Sequence, residues 1–305
     1  MRFVTFRYQD QGTTSYGVVP AAGDGIVDLG ARFGPDLGSV RQLLEAGAWQ
    51  GEAVRDAAGS AAEVPLGGVE LLPPVPNSRK IFAIGLNYDD HRAEGNRPKV
   101  DFPTVFTRFT DSQVGHGQPI IKPDVSDQVD YEGELAVVIG QGGHQIPEAA
   151  AMDHVAGYAA FNDVSVRDWQ RHTTQFVPGK NFFHAGAFGP WLVTADELPE
   201  ITAQELTTRV NGETVQHAPI SDLLFPIPRL IAYISAFTPL SPGDVIATGT
   251  PGGVGFARKP PVWLQPGDVI EITIEGVGTI RNRVVAEPGD RSGWRWQPGP
   301  SPGGL

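Results

Sequence analysis

The stretch DYEGELAVVIG, residues 130–140, sets two glutamates one residue apart at the head of a run that otherwise reads as a buried strand. In an extended chain successive side chains point to opposite faces. Glu132 and Glu134 therefore share a face with Ala136 and Val138, while Gly133, Leu135, Val137 and Ile139 take the other. Two carboxylates side by side against apolar neighbours repel each other and lose hydration. The pattern asks for a positive charge between them.

A third acid follows at Asp163, in GYAAFNDVSVRD, at the end of another apolar strand, where loops carry function. Three carboxylates are an oxygen-only donor set, which suits the hard cations Mg²⁺ and Mn²⁺, and Ca²⁺ as a further candidate. Zinc would want histidine or cysteine among the donors. Three ligands leave coordination positions open for water or substrate. The competing reading is a pair of glutamates in salt bridges at a sheet edge, which the E-x-E spacing alone does not exclude.

The rest of the chain is that of a globular protein, with 305 residues, 40% of them hydrophobic and 19% charged. Its 38 glycines and 27 prolines imply many turns and short strands. A net charge of −12 argues against nucleic acid or an anionic membrane as partner, since both need a basic patch. There is no apolar run of about 18 residues to span a bilayer. MRFVTFRYQD lacks the long apolar region of a signal peptide, so a cytoplasmic location is the default expectation. Without cysteine there are no disulfides and no thiolate metal sites.

Residues 3–19 alternate as a hairpin around Asp10-Gln11-Gly12, and Ser39 caps a helix carrying Val40, Leu43 and Leu44. Little can be read from the Ala/Gly-rich stretch that follows. Three prolines in LLPPVPNS, residues 71–78, read as a linker. Beyond it the pattern is mostly short strands, including a hairpin at Asn211-Gly212. Helices are expected from Pro147 and over IPRLIAYISAF, with Leu230, Ile231 and Ile234 on one face. PGDVI occurs twice, at 242–246 and 266–270, as a turn entering a strand. The organisation expected is a small N-terminal domain (1–72), a linker (73–78), a catalytic metal-binding domain (79–286) and a Pro/Gly-rich tail (287–305), which Trp294 and Trp296 would dock.

In GLNYDDHRAEG, His91 and Glu94 are three apart and share a face on a helical turn, which suits a carboxylate-supported general base as well as an ordinary surface pair. Gly85 and Gly95 bracket the segment as they would a mobile lid. Lys180, in FVPGKNFF, fits either an enolate-stabilising ammonium or a snorkelling side chain. ATGTPGGVGFAR offers backbone N–H groups to an anion but lacks the spacing of a nucleotide loop.

Taken in order, GLNYDDHRAE, YEGELAVVIG, GYAAFNDVSVRDWQ, GKNFFHAGAFGPWLVT, TRVNGETVQ, LIAYISAF and GDVIATGTPGGVG resemble the fumarylacetoacetate hydrolase family over roughly residues 80–285, on its acylpyruvate hydrolase-like branch. The resemblance implies a fold that is mainly β with some α, a mixed β-roll behind a small N-terminal α/β domain. It implies metal ligands Glu132, Glu134 and Asp163, a lid dyad His91–Glu94 that activates water, and Lys180 on a substrate oxygen. Thr250 and Gln170 would contact substrate. One departure is Arg108-Phe109, where many relatives have Lys-Pro, so Arg108 is expected to meet the far end of an unusual substrate. The activity implied is divalent-metal-dependent hydrolysis of a C–C bond in a 2,4-dioxo acid, by a homodimer. A decarboxylase or isomerase of 2-oxo acids is the alternative on the same scaffold, and a non-catalytic metal-binding module the third reading.

Overall fold

The computed structural model describes residues 1–20, 23, 25–95 and 98–289, so Trp294 and Trp296 lie outside the described residues. The run ELAVVI has no polar alternation, and a strand of that kind needs cover on both faces. The strand Gly133–Ile139 has it, with every residue buried. Leu135, Val137 and Ile139 pack with Leu206, Ile270, Ile272 and Ile280. On the other face Ala136 and Val138 join Phe3, Tyr16, Val18, Leu43 and Leu44. The strand is thus the middle layer between a second sheet and the N-terminal helices.

Among the described residues twelve strands form one mixed sheet, and five form the second, in the order Glu213–Pro219, Glu205–Val210, Val269–Ile274, Gly278–Ala286, Ile120–Lys122. In the large sheet Gly133–Ile139 lies antiparallel between Val155–Asn162 and Val245–Ala247. The expected N-terminal hairpin is present, with Thr5 opposite Tyr16. It does not stand apart: Arg2–Tyr8 also pairs with Gly186–Thr194, Arg2 opposite Val193. Leu71 and Leu72, read with the prolines as linker, end a strand that pairs with Arg2–Tyr8, and the loop begins at residue 73.

Local signals account for most elements. Ser39 accepts the Gln42 N–H at 3.2 Å and starts the helix Val40–Glu45. Asn211 and Gly212 both have positive φ (52° and 84°), as a two-residue hairpin turn requires. The two PGDVI turns share a device. Asp244 accepts the Ser241 N–H and Asp268 the Gln265 N–H, each from three residues back. One expectation is refined, and one stretch on which the sequence was silent is filled. Residues Glu148–His154 after Pro147 form a 3₁₀ helix rather than an α-helix, with no side-chain cap and only Ala151 buried. The Ala/Gly-rich stretch holds an α-helix, Glu52–Ala58, anchored by Val54 and Ala57 and begun by Gly51 without a side-chain cap.

Gly133, between the two glutamates, faces the second sheet so closely that a Cβ there would sit 2.0 Å from Thr208 Oγ1. Gly133→Ala is therefore expected to destabilise the fold by about 1–3 kcal/mol through overpacking. Part of that loss should return in the Gly133→Ala/Thr208→Ala double variant. Urea unfolding is the measurement, and a wild-type midpoint in the single variant would show that the two sheets give way freely here.

Candidate active site

Antiparallel pairing sets Gly133 opposite Asn162, so the head of one strand lies beside the tail of the other. The Asp163 N–H donates to the Glu132 carbonyl at 2.9 Å, and the carboxylates of Glu132, Glu134 and Asp163 converge. One oxygen from each lies within 4.8 Å of the others, and all three residues are buried. Lys180, on the short helix Val177–Lys180, donates to Glu132 Oε2 at 2.7 Å and to Asp163 Oδ2 at 2.6 Å. The positive charge asked for by the opening stretch is thus in part the protein's own.

Arg167 and Arg108 complete the charge pattern. Arg167 Nη1 lies 2.6 Å from Glu132 Oε1, and its Nε donates to Asp130 Oδ2 at 2.8 Å. Arg108 Nη1 donates to Asp163 Oδ1 and, at 3.0 Å, to the Val164 carbonyl. Glu134 is different: it accepts the Gly249 N–H at 2.9 Å and has no ion pair among the described residues. Burial disfavours the Glu132 carboxylate, but Arg167, Lys180 and His91 outweigh it and hold its pKa below the usual range. For Glu134 burial leads, the charges of Asp163 and Glu132 add to it, and the pKa stands well above the usual range. A dication among these three oxygen donors would oppose that repulsion at Glu134, and a set without nitrogen or sulfur favours Mg²⁺ or Mn²⁺ over softer ions. The residues fit such a metal.

Glu132, Glu134, Lys180 and Thr250 line a cavity of about 580 Å³, with Asp163 just behind them, bonded to Lys180. Phe106 and Phe176 give it an apolar side, and Gln170, Arg171, Thr173 and Thr174 a polar one. The helix Asp89–Glu94 brings His91 to the wall. His91 Nδ1 is 3.6 Å from Glu94 Oε2, too far for a hydrogen bond, and has no hydrogen-bond partner among the described residues. Glu94 Oε1 instead accepts the Gly253 N–H at 2.7 Å, which ties it to the glycine loop.

The residues named from sequence fall in different places. Gln170 lines the cavity, and its Oε1 accepts from Arg167 at 3.2 Å. Thr250 lines it too, but its hydroxyl donates to the Gly133 carbonyl and accepts from Gln216, both at 2.8 Å, so its proton already has an acceptor. Arg108 is a correction. It is buried behind Asp163 and does not line the cavity, because its guanidinium is held by Asp163 and Val164. Sequence reasoning missed Arg167 and Asp130. A two-stranded ladder, Val129 opposite Val166 and Asp130 opposite Ser165, brings them together. Asp130 also accepts the N–H groups of Gly255 (2.7 Å) and Phe256 (3.0 Å), which fastens the glycine loop to the strand head. An acid just before the strand head and an Arg-Asp pair just after a strand end were the only signals available.

A two-sheet roll with a buried acid triad and a lysine beside a cavity is the active-site architecture of an enzyme. Residues 80–285 match the model of the fumarylacetoacetate (FAA) hydrolase C-terminal domain, and the chain belongs to that family. It is 41% identical over 289 residues to a mitochondrial oxaloacetate tautomerase of Xenopus laevis, covering 93% of this chain and 90% of that protein. Maleylpyruvate hydrolase from Sphingobium sp. SYK-6, solved with manganese(II) and pyruvate, is similar with a TM-score of 0.79 and 31% identity, over 94% of this chain and 100% of that one. The 5-carboxymethyl-2-hydroxymuconate delta-isomerase of Mycobacterium smegmatis gives 0.74 and 32%, over 95% and 100%.

Proposed function

We propose that this protein is a divalent-metal-dependent enzyme that interconverts the keto and enol forms of a 2-oxo acid, with oxaloacetate as substrate. The observation that carries the reading is His91: its Nδ1 has no hydrogen-bond partner among the described residues, and it lines the same cavity as Glu132, Glu134 and Lys180. Similarity along most of both chains to an oxaloacetate tautomerase supports it. Bound by Glu132, Glu134 and Asp163, Mg²⁺ or Mn²⁺ would supply Lewis-acid polarisation of the 2-oxo acid. Toward the enol, His91 takes a proton from C3 as the C2=C3 bond forms and the C2 oxygen takes one up; toward the keto form the oxygen gives up its proton and His91 returns one to C3. The Lys180 ammonium places positive charge where the enolate oxygen develops. Phe106 and Phe176 keep water from that side of the reacting atoms.

Hydrolysis of an acylpyruvate is the second reading, favoured by His91 and Glu94 lying on one helix face. It needs an activated water, and so needs Glu94 to leave Gly253 and close on His91. Loss of the enol absorbance of oxaloacetate, followed with Mg²⁺ or Mn²⁺ and compared with metal alone, tests the first reading. Acylpyruvate cleavage in the same buffers tests the second. Catalysed tautomerisation without cleavage is the expected result. Cleavage without tautomerisation would replace the first reading by the second, and neither activity would leave a metal-binding module.

A further inference from the structure

Asp130, Glu132 and Glu134 alternate in sequence, so the row of acids begins one step before the candidate metal ligands. Asp130 is fully buried, yet its carboxylate is not among the converging donors. Its charge partner is Arg167. Asp130 Oδ2 accepts the Arg167 Nε–H at 2.8 Å and lies 2.8 Å from Nη2. The third nitrogen, Nη1, reaches Glu132 Oε1 at 2.6 Å. One buried guanidinium is thus shared between a candidate metal ligand and an acid set behind it.

Both oxygens of Glu132 already face cations, Oε1 Arg167 and Oε2 Lys180. A dication on Glu132 therefore competes with the protein's own positive charge. Lys180 has both of its ion pairs, among the described residues, within the donor set, to Glu132 and Asp163. Arg167 has one outside it. A buried guanidinium that lost its only carboxylate would be strongly disfavoured, and Asp130 removes that obstacle. The Asp130 carboxylate is itself fixed by the N–H groups of Tyr131 (2.9 Å), Gly255 (2.7 Å) and Phe256 (3.0 Å). The Phe256 ring, its centroid 4.6 Å from the guanidinium carbon, covers Arg167. Arg167 is held from behind whether or not it keeps Glu132.

We propose that Asp130 is a positioning residue for metal binding: it holds Arg167 by its Nε edge, so that Glu132 turns to a divalent cation while the guanidinium stays paired. This rests on the metal assignment of the proposed function and not on its reaction. Asp130→Asn keeps a side-chain oxygen for the loop N–H groups but leaves Arg167 to Glu132 alone. Calorimetric titration of the full chain with Mg²⁺ alone should show affinity about 10–100-fold below wild type, the range of outer-shell partners. Arg167→Met removes the competing charge and should bind Mg²⁺ at least as tightly as wild type. In that background Asp130→Asn should cost less than about threefold, since the two residues act as one unit. A merely structural Asp130 would weaken Mg²⁺ equally in both backgrounds, and that result overturns the proposal, as does wild-type affinity in Asp130→Asn. NMR of wild-type protein labelled at arginine nitrogen depends on no variant folding. The Arg167 Nε–H should stay protected from exchange through Mg²⁺ saturation, and loss of that protection overturns the proposal. The expected pattern of Mg²⁺ affinities in a protein that turns over no 2-oxo acid keeps the role of Asp130 and overturns the reaction. Wild-type protein that takes up no Mg²⁺ overturns the proposal and the metal assignment together.

Discussion

His91→Ala is expected to slow oxaloacetate tautomerisation by about 10²–10⁴-fold, the usual contribution of a positioned general base. Metal affinity should stay within a few-fold of wild type, because His91 is not among the three converging donors. Glu94 divides the two proposed chemistries. Its carboxylate is 3.6 Å from His91 and is bound to Gly253, so in tautomerisation it has little to do and Glu94→Ala should cost less than tenfold. In acylpyruvate hydrolysis it would orient the imidazole, and the same variant should approach the loss seen for His91→Ala. Steady-state rates on both substrates, with Mg²⁺ titrations as control, make the comparison. A His91→Ala protein that tautomerises at the wild-type rate would remove the base from the mechanism.

Glu134→Gln should weaken Mg²⁺ and Mn²⁺ binding by more than the 10–100-fold typical of outer-shell partners, and leave the fold intact or firmer. The reason lies in how the three acids are paired. Glu132 faces Arg167 and Lys180, and Asp163 faces Arg108 and Lys180. Removing Asp163 takes from Arg108 its one ion pair among the described residues, and removing Glu132 takes from Arg167 and Lys180 one of their two, where breaking a buried pair costs about 3–5 kcal/mol. Glu132→Ala and Asp163→Ala should therefore lose metal and stability together. Glu134 has only the Gly249 N–H, and its charge is opposed by burial and by its two neighbours, so a neutral isostere relieves repulsion and strands no cation. Calorimetry and urea unfolding on the three variants are the measurements. Wild-type metal affinity in Glu134→Gln would displace the cation from this cluster.

What the sequence made legible is what depends on short spacing. Glu132 and Glu134 share a face by strand alternation, and Asp163 follows because the partner strand ends where theirs begins. The His91–Glu94 face, the Ser39 cap and the Asn211-Gly212 turn are equally local. Arg108 was misplaced because alternation tells which side of a strand a residue takes, not whether that side is cavity or core. Arg167 and Asp130 escaped because only pairing of residues 129–130 with 165–166 joins them. The helix Glu52–Ala58 escaped because Gly51 gives no capping side chain and its buried residues are few.

The pairing of Arg2 with Val193 has a consequence for biosynthesis. A ribosome adds about 5–20 residues per second, so the first strand waits roughly 10–40 s for this neighbour to emerge. During that interval Phe3, Val4 and Phe6, all buried in the finished protein, have only the early hairpin and Val69–Leu72 for cover. The nascent chain therefore presents an incomplete sheet edge to its surroundings until nearly two-thirds of it has been made, and its folding yield should depend on holdase chaperones more than that of a protein whose first strand pairs only locally.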